Sequence, residues 1–148
     1  MRYYPIFLDL KARRAVVVGG GPVAERKVAT LLKAGADVTV VSPEVTRRLA
    51  AWVSRKKIRH IQRAYRKGDL DQAAIAFTAT DRDRVNQAVE DEAEQKKVWI
   101  NVADQSVPGN FILPALYTKR DVTVAVSTGG KDPRRSVKIR DSLKGVII

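Results

Sequence analysis

The stretch Ala15–Arg26, AVVVGGGPVAER, decides the fold. Its four apolar residues, three of them valine, end in consecutive glycines at Gly19, Gly20 and Gly21. Glycine loses more backbone freedom on folding than any other residue, so three together in a compact domain answer a geometric demand. The β-branched run before them reads as a strand buried on both faces. After them, Val23, Val28, Leu31 and Leu32 recur at roughly helical spacing, and Gly35 closes that helix just past Ala34. A second strand-like run, DVTVVSP (Asp37–Pro43), follows. Strand, glycine turn, helix and strand within about 30 residues make a parallel βαβ unit.

The glycines fit the dinucleotide fingerprint as Gly19-x-Gly21-x-x-Ala24. Gly19 permits the tight turn out of the strand, Gly21 lets the backbone approach a pyrophosphate, and the small Ala24 lets helix and strand pack closely. A helix beginning near Pro22 offers its free N–H groups and positive dipole end to the phosphates. The acid that usually binds a ribose 2′-hydroxyl from the end of the second strand is replaced by Ser42, with Pro43 and Glu44 just beyond. Ser42 and Glu44 can each serve a ribose hydroxyl, whereas Arg47 and Arg48 favour a 2′-phosphate. On the residues alone, NAD and NADP are both open.

Further along, residues 44–57 read as a helix, 58–61 as a short strand and 73–80 as a buried strand. Residues 83–97 read as a polar-faced helix with Val85, Ala88, Val89 and Ala93 inward, leading to a strand over 98–103. This alternation predicts an α/β fold, a doubly wound, Rossmann-like parallel sheet. After Gln105 the pattern changes. Residues 111–127 hold two strand-like runs with no helix between them, which predicts an added C-terminal antiparallel hairpin turning near Lys119–Asp121. Pro114 marks an edge position, and a last helix is expected over 134–143. The expected division is a dinucleotide-binding domain over residues 1–112, then the hairpin and the start of a dimerisation region over 113–148.

In such a sheet the ligand sits outside the carboxyl ends of the strands. TATD (Thr78–Asp81) and NVADQ (Asn101–Gln105) both follow strands and should face that crevice. Asp104 is there a candidate general base, with a turn or cap residue as the plainer reading. His60, the single histidine, sits among arginines and reads as a solvated surface residue.

The totals bound the rest. One domain is the size expectation for 148 residues, and the absence of cysteine excludes disulfide frameworks and thiolate chemistry. The N-terminal apolar run is too short for a signal peptide and no stretch has the length of a membrane span, so a cytoplasmic protein without membrane association is expected. Lys and Arg number 28 against 16 Asp and Glu, a net charge of +12 that favours anionic partners. Between Thr46 and Lys67 there are nine basic side chains and no acid, and a second cluster runs from Lys131 to Lys144.

Taken in order, PIFLDL, VVVGGGPVAERKV, FTATDRDRVNQAV, NVADQ, FILPA and VAVSTGGKDP resemble the N-terminal part of the siroheme synthase family, over essentially the whole sequence. Members of that family are precorrin-2 dehydrogenases, some also sirohydrochlorin ferrochelatases. The resemblance implies NAD as cofactor and oxidation of precorrin-2 to sirohydrochlorin, with ferrous iron as a substrate only if the chelatase step is present. It implies a catalytic role for Asp104 and no resident metal. It also implies that the glycine turn with Pro22 and Val23 holds the pyrophosphate, that Pro43 and Glu44 lie by the adenosine ribose, and that Thr80 and Asn101 lie toward the nicotinamide. The basic balance then answers the eight carboxylates of precorrin-2, with Arg134, Arg135 and Lys138 nearer the expected substrate side, and no nucleic-acid partner is expected. A homodimer is expected too. Family members continue beyond the STGG turn into a helical domain, which is expected to be absent from a sequence ending SLKGVII. The alternative reading is a non-catalytic NAD-binding regulatory module.

Overall fold

The computed structural model describes residues 2–103 and 109–146. Phe7–Asn110 forms one compact unit, and Met1–Ile6 with Phe111–Ile148 a second.

In the first unit five strands make one wholly parallel sheet in the order β3-β2-β1-β4-β5. The strands are β1 (Arg14–Val18), β2 (Asp37–Val41), β3 (Arg59–Ile61), β4 (Ile75–Thr78) and β5 (Trp99–Val102). Helices α1 (Pro22–Lys33), α2 (Arg47–Ser54) and α3 (Asp83–Lys96) connect β1 to β2, β2 to β3 and β4 to β5. The chain passes from β3 to β4 across the sheet, so the order reverses between β1 and β4. This is the expected doubly wound sheet.

Ala15, Val16 and Val17 are wholly buried, as a central strand covered on both faces requires. Val16 and Val18 pack with Val41, Leu70, Ala76, Val89, Ala93, Val98 and Ile100 in one cluster. Each of the valine, leucine and isoleucine side chains among them contributes about 1.5–3 kcal/mol on burial. Gly35 ends α1 at a φ of +71°, where a side chain would be strained.

Two local expectations change. First, α2 begins at Arg47 instead of residue 44, because Ser42–Thr46 is folded into a loop whose own hydrogen bonds replace a helical turn. Thr46 caps the helix, its Oγ1 accepting from the Leu49 N–H at 3.2 Å. Second, Ala88 is exposed on α3, and the buried stripe is instead Asn86, Val89, Glu92 and Ala93. Its two polar members are retained because each satisfies chain groups. The Glu92 carboxylate accepts from the Gly68 N–H at 3.0 Å, the Leu70 N–H at 3.4 Å and the Tyr65 hydroxyl, and so ties α3 to the loop before β4. Burial, then the hydrogen bond and charge of Glu92, push the Tyr65 phenol up.

The outer edge of β5 is closed by Gly109 and Asn110. Asn110 Oδ1 accepts from the Ile100 N–H at 2.8 Å, its Nδ2 donates to the Val98 carbonyl at 3.2 Å, and its backbone N–H donates to the Ile100 carbonyl at 3.0 Å. A Cβ on Gly109 would meet that carbonyl at 2.5 Å, which accounts for glycine there.

The second unit is an antiparallel hairpin of β6 (Ala115–Lys119) and β7 (Val122–Val126), followed by α4 (Pro133–Leu143), which packs against both strands. Lys119 pairs with Val122, leaving Arg120 and Asp121 as the two-residue connection, with Arg120 at a φ of +53°. No helix among the described residues is long and apolar enough to cross a membrane.

Candidate cofactor-binding site

The carboxyl ends of β1, β2 and β4 open onto one crevice of about 980 Å³. Gly19–Val23 line it from the glycine turn, Ser42 and Glu44–Thr46 from the loop after β2, Ala79–Asp81 from the end of β4, and Ala103 from the end of β5.

Each glycine in the turn answers a different demand. Gly19 has a φ of +123°, and a Cβ on it would overlap the Ala79 carbonyl. A Cβ on Gly20 would overlap the Glu44 carbonyl and stand 2.8 Å from Ser42 Oγ, so Gly20 is where the loop after β2 crosses the turn. Gly21 differs. Its φ of −83° suits any residue, and a Cβ there would meet no atom of the described residues within 4 Å. The space beside Gly21 therefore belongs to the crevice, where a bound phosphate can approach the backbone.

Gly21 is also the N-cap of α1 and Pro22 its first residue. The amides of the first turn have no intrahelical acceptors, and they carry the positive end of the helix dipole to the crevice wall. Ala24 is wholly buried, consistent with the close approach of helix and strand. This combination of open backbone, helix N-terminus and crevice fits a dinucleotide pyrophosphate.

The loop after β2 is held from several sides. Ser42 Oγ donates to the Glu44 carbonyl at 2.7 Å, and the Thr46 N–H donates to the Gly20 carbonyl at 2.9 Å. Thr46 Oγ1 donates to Glu25 on α1 at 2.7 Å, and Arg48 reaches the other oxygen of that carboxylate at 3.4 Å. The Ser42 hydroxyl and the Arg48 guanidinium are thus engaged within the protein. Pro43 and Glu44 are exposed, Glu44 lines the crevice, and its carboxylate has no ion-pair partner among the described residues. His60 is half-buried with its Nε2 2.8 Å from the Ser42 carbonyl, so it braces the same loop where a solvated residue was expected.

Toward β4 and β5 the candidates separate. Thr80 lines the crevice, its Oγ1 donating to Asn86 Oδ1 at 2.9 Å while Asn86 Nδ2 donates to the Thr80 carbonyl at 3.1 Å. Asn101 is 9% exposed and lies off the crevice wall, its Oδ1 accepting from Lys27 Nζ at 3.0 Å. Asp104 lies outside the described residues. No group of three or more His, Cys, Asp or Glu able to hold a metal occurs among the described residues.

Sequence reasoning placed Asp81 at the crevice but missed Gly20, Val45 and Thr46 as crevice residues. Thr46 carried a signal, a threonine shortly before the first leucine of an amphipathic run, which is a capping pattern. Gly20 had none, because its contact with Glu44 is tertiary.

A family model described as "Putative NAD(P)-binding" matches residues 6–115. The siroheme synthase of Photobacterium profundum is 40% identical over 147 residues, covering 99% of this chain and 31% of that protein. The siroheme synthase of Thioalkalivibrio sulfidiphilus is 40% identical over 147 residues, again 99% of this chain and 30% of that protein. The chain thus spans about a third of the length of the curated relatives it matches. The solved structure titled "SirC, precorrin-2 dehydrogenase" matches with a TM-score of 0.87 and 29% identity, over 99% of this chain and 72% of that one. The glycine turn, the switch in strand order and the crevice between them all fall inside the matched residues, and the chain belongs to this NAD(P)-binding family, whose cofactor is a nicotinamide dinucleotide.

Proposed function

We propose that the chain is a precorrin-2 dehydrogenase that oxidises precorrin-2 to sirohydrochlorin with NAD, in the making of siroheme. The observation that carries this reading is the similarity to a solved precorrin-2 dehydrogenase over 99% of the chain, with the dinucleotide crevice intact.

When bound, the nicotinamide ring supplies the hydride acceptor. The work of the chain is to hold the dinucleotide and manage a proton. The first-turn amides of α1, at Val23 and Ala24, would hold the pyrophosphate against Gly21. Pro43 and Glu44 would border the adenosine ribose. Glu44 lines the crevice, and its carboxylate would accept from a 2′-hydroxyl and repel a 2′-phosphate, while Arg48 is engaged by Glu25. This supports NAD over NADP. Oxidation removes a hydride and a proton from the macrocycle, and by family resemblance Asp104 takes the proton as general base.

Exposed apolar side chains on the second unit, including Leu113, Leu116, Val122 and Val137, support a homodimer. The cytoplasm is where this chemistry is expected.

The test is anaerobic. Freshly generated precorrin-2, NAD and the protein are mixed, and NADH and the sirohydrochlorin spectrum are followed together. Both should appear, NADP should serve less well, and Asp104→Ala should abolish turnover while leaving NAD bound. NAD binding without turnover would overturn the enzyme reading in favour of a regulatory module. Adding ferrous iron to the same mixture reads the chelatase step as siroheme formation.

A further inference from the structure

The fold divides the basic run between Thr46 and Lys67. Of its nine cationic side chains, Arg48, Arg59 and Arg63 are taken up in ion pairs with Glu25, Asp37 and Asp69. Arg55, Lys56 and Lys57, which follow α2, are exposed and have no side-chain partner among the described residues. They lie at the amino edge of the parallel sheet, because α2 returns the chain to the start of β3.

Two backbone hydrogen bonds bring further cations to that edge. The Ala12 N–H donates to the Gly35 carbonyl at 2.9 Å, and the Asp37 N–H donates to the Arg13 carbonyl at 2.9 Å. The approach to β1, with Lys11 and Arg13, therefore adjoins the end of α1, with Lys33. These three are also exposed and without side-chain partners among the described residues.

Neither the crevice nor the helices account for all six. The crevice opens at the carboxyl edge, about 17 Å away along five-residue strands that rise about 3.3 Å per residue. A helix dipole favours a cation at its carboxyl end, which covers Lys33 and Arg55, and its effect falls off within a turn. Lys56 stands at a φ of +54°, the left-handed position past a helix end that Gly35 fills for α1 without strain. A lysine kept at such a position asks for a reason.

We propose that this amino edge is the docking surface for a partner protein with an acidic face. A second copy of the chain does not supply that face, because two molecules of net charge +12 repel. The cations form two groups, Lys11, Arg13 and Lys33 by β1 and Arg55, Lys56 and Lys57 by β3. The ion pair of Asp37 on β2 with Arg59 on β3 stands between them. A nucleic-acid backbone crossing from one group to the other would carry its continuous phosphate charge past Asp37. Discrete carboxylates on a folded surface can meet each group and avoid that position. A partner seated here leaves the cofactor crevice open.

A decaglutamate peptide stands for the acidic face and is titrated by fluorescence anisotropy at physiological ionic strength. One variant carries Arg55→Gln, Lys56→Gln and Lys57→Gln. Its control carries Lys131→Gln, Arg134→Gln and Lys138→Gln on the second unit, and loses the same charge. The edge variant should bind the peptide roughly ten-fold more weakly than the parent and the control within about three-fold, while the edge variant keeps NADH binding within about two-fold. Lys56→Gly removes the left-handed strain together with one charge. It should raise the urea-denaturation midpoint of the unliganded protein and weaken the peptide.

Equal loss in the two triple variants, or no binding by the parent, would overturn the docking surface by reducing it to net charge. An oligothymidylate of the same charge that binds the parent more tightly than the peptide, and is lost in the edge variant, would overturn the choice of a protein partner. A Lys56→Gly midpoint at or below that of the parent would overturn the reading that this lysine is kept for its charge.

Discussion

Gly21→Ala separates the demands of the fold from the demands of the ligand. At Gly21 the backbone has an ordinary φ of −83° and a Cβ meets no atom of the described residues within 4 Å, so they accommodate the methyl. Lower chain entropy in the unfolded state favours alanine by about 0.4–1 kcal/mol. Loss of a favoured N-cap residue opposes it by an amount of similar order. The two nearly cancel, and the melting temperature of the unliganded variant should stay within a few degrees of the parent. On the proposed placement of the cofactor, the methyl projects where the pyrophosphate comes closest to the backbone. Overfilling a packed contact by one such group costs about 1–3 kcal/mol, which is roughly a 5- to 150-fold loss of affinity. Fluorescence titration with NADH measures this directly. Gly20→Ala is the internal contrast, because its methyl overlaps the Glu44 carbonyl and should lower the melting temperature before any ligand is added. A folded Gly21→Ala protein that binds NADH like the parent would refute the placement of the pyrophosphate at the glycine turn.

Three further outcomes are expected. Glu92→Ala strands the N–H groups of Gly68 and Leu70 and the Tyr65 hydroxyl, and should cost about 3–5 kcal/mol in urea denaturation. Thr78→Val replaces a wholly buried hydroxyl with no hydrogen-bond partner among the described residues by a group of the same shape, and should leave stability unchanged or raise it by up to about 1 kcal/mol in the same assay. At Asp69 burial favours the neutral acid, but the Arg63 hydrogen bond, the Arg66 N–H and the charges of Arg63 and Arg14 outweigh it and hold the carboxyl below its ordinary 3.8. A depressed pKa adds stability that is complete above 3.8 and disappears as pH falls through the lower folded value. Arg63→Met should therefore shrink the part of the stability lost in that acid range, as read from denaturation at a series of pH values.

What could be read from the sequence depended on how locally each feature is encoded. The first βαβ unit is written in contiguous residues, with valines for a doubly buried strand, glycines for a turn and Ala24 for close packing. The hairpin was legible for the same reason, since two strand-like runs meet across Arg120–Asp121. The loop after β2 was not, because its shape depends on Gly20 meeting the Glu44 carbonyl and on Glu25 holding Thr46 across 21 residues. On α3 the apolar period pointed to Ala88, whereas the inward positions hold Asn86 and Glu92, polar residues whose value lies in backbone groups elsewhere in the chain. The Lys27–Asn101 pair spans 74 residues and carries no local signal. Asp104 was a candidate from its place after a strand end, and its catalytic role came from resemblance.

The closed edge of β5 bears on how copies of this protein can meet. An unpaired sheet edge invites another strand to add to it, and proteins suppress that with bulges, charges or covers. Here the Asn110 amide imitates a strand's own N–H and C=O, so the outward groups of Ile100 and Val98 are already spent. The sheet cannot grow past β5 into a continuous intermolecular one, which disfavours fibre-like stacking through that side. The other border, β3, is only three residues long and begins with a charged Arg59 that is paired to Asp37. At the two borders of this sheet, contact between copies is left to side-chain packing, because backbone templating there is disfavoured.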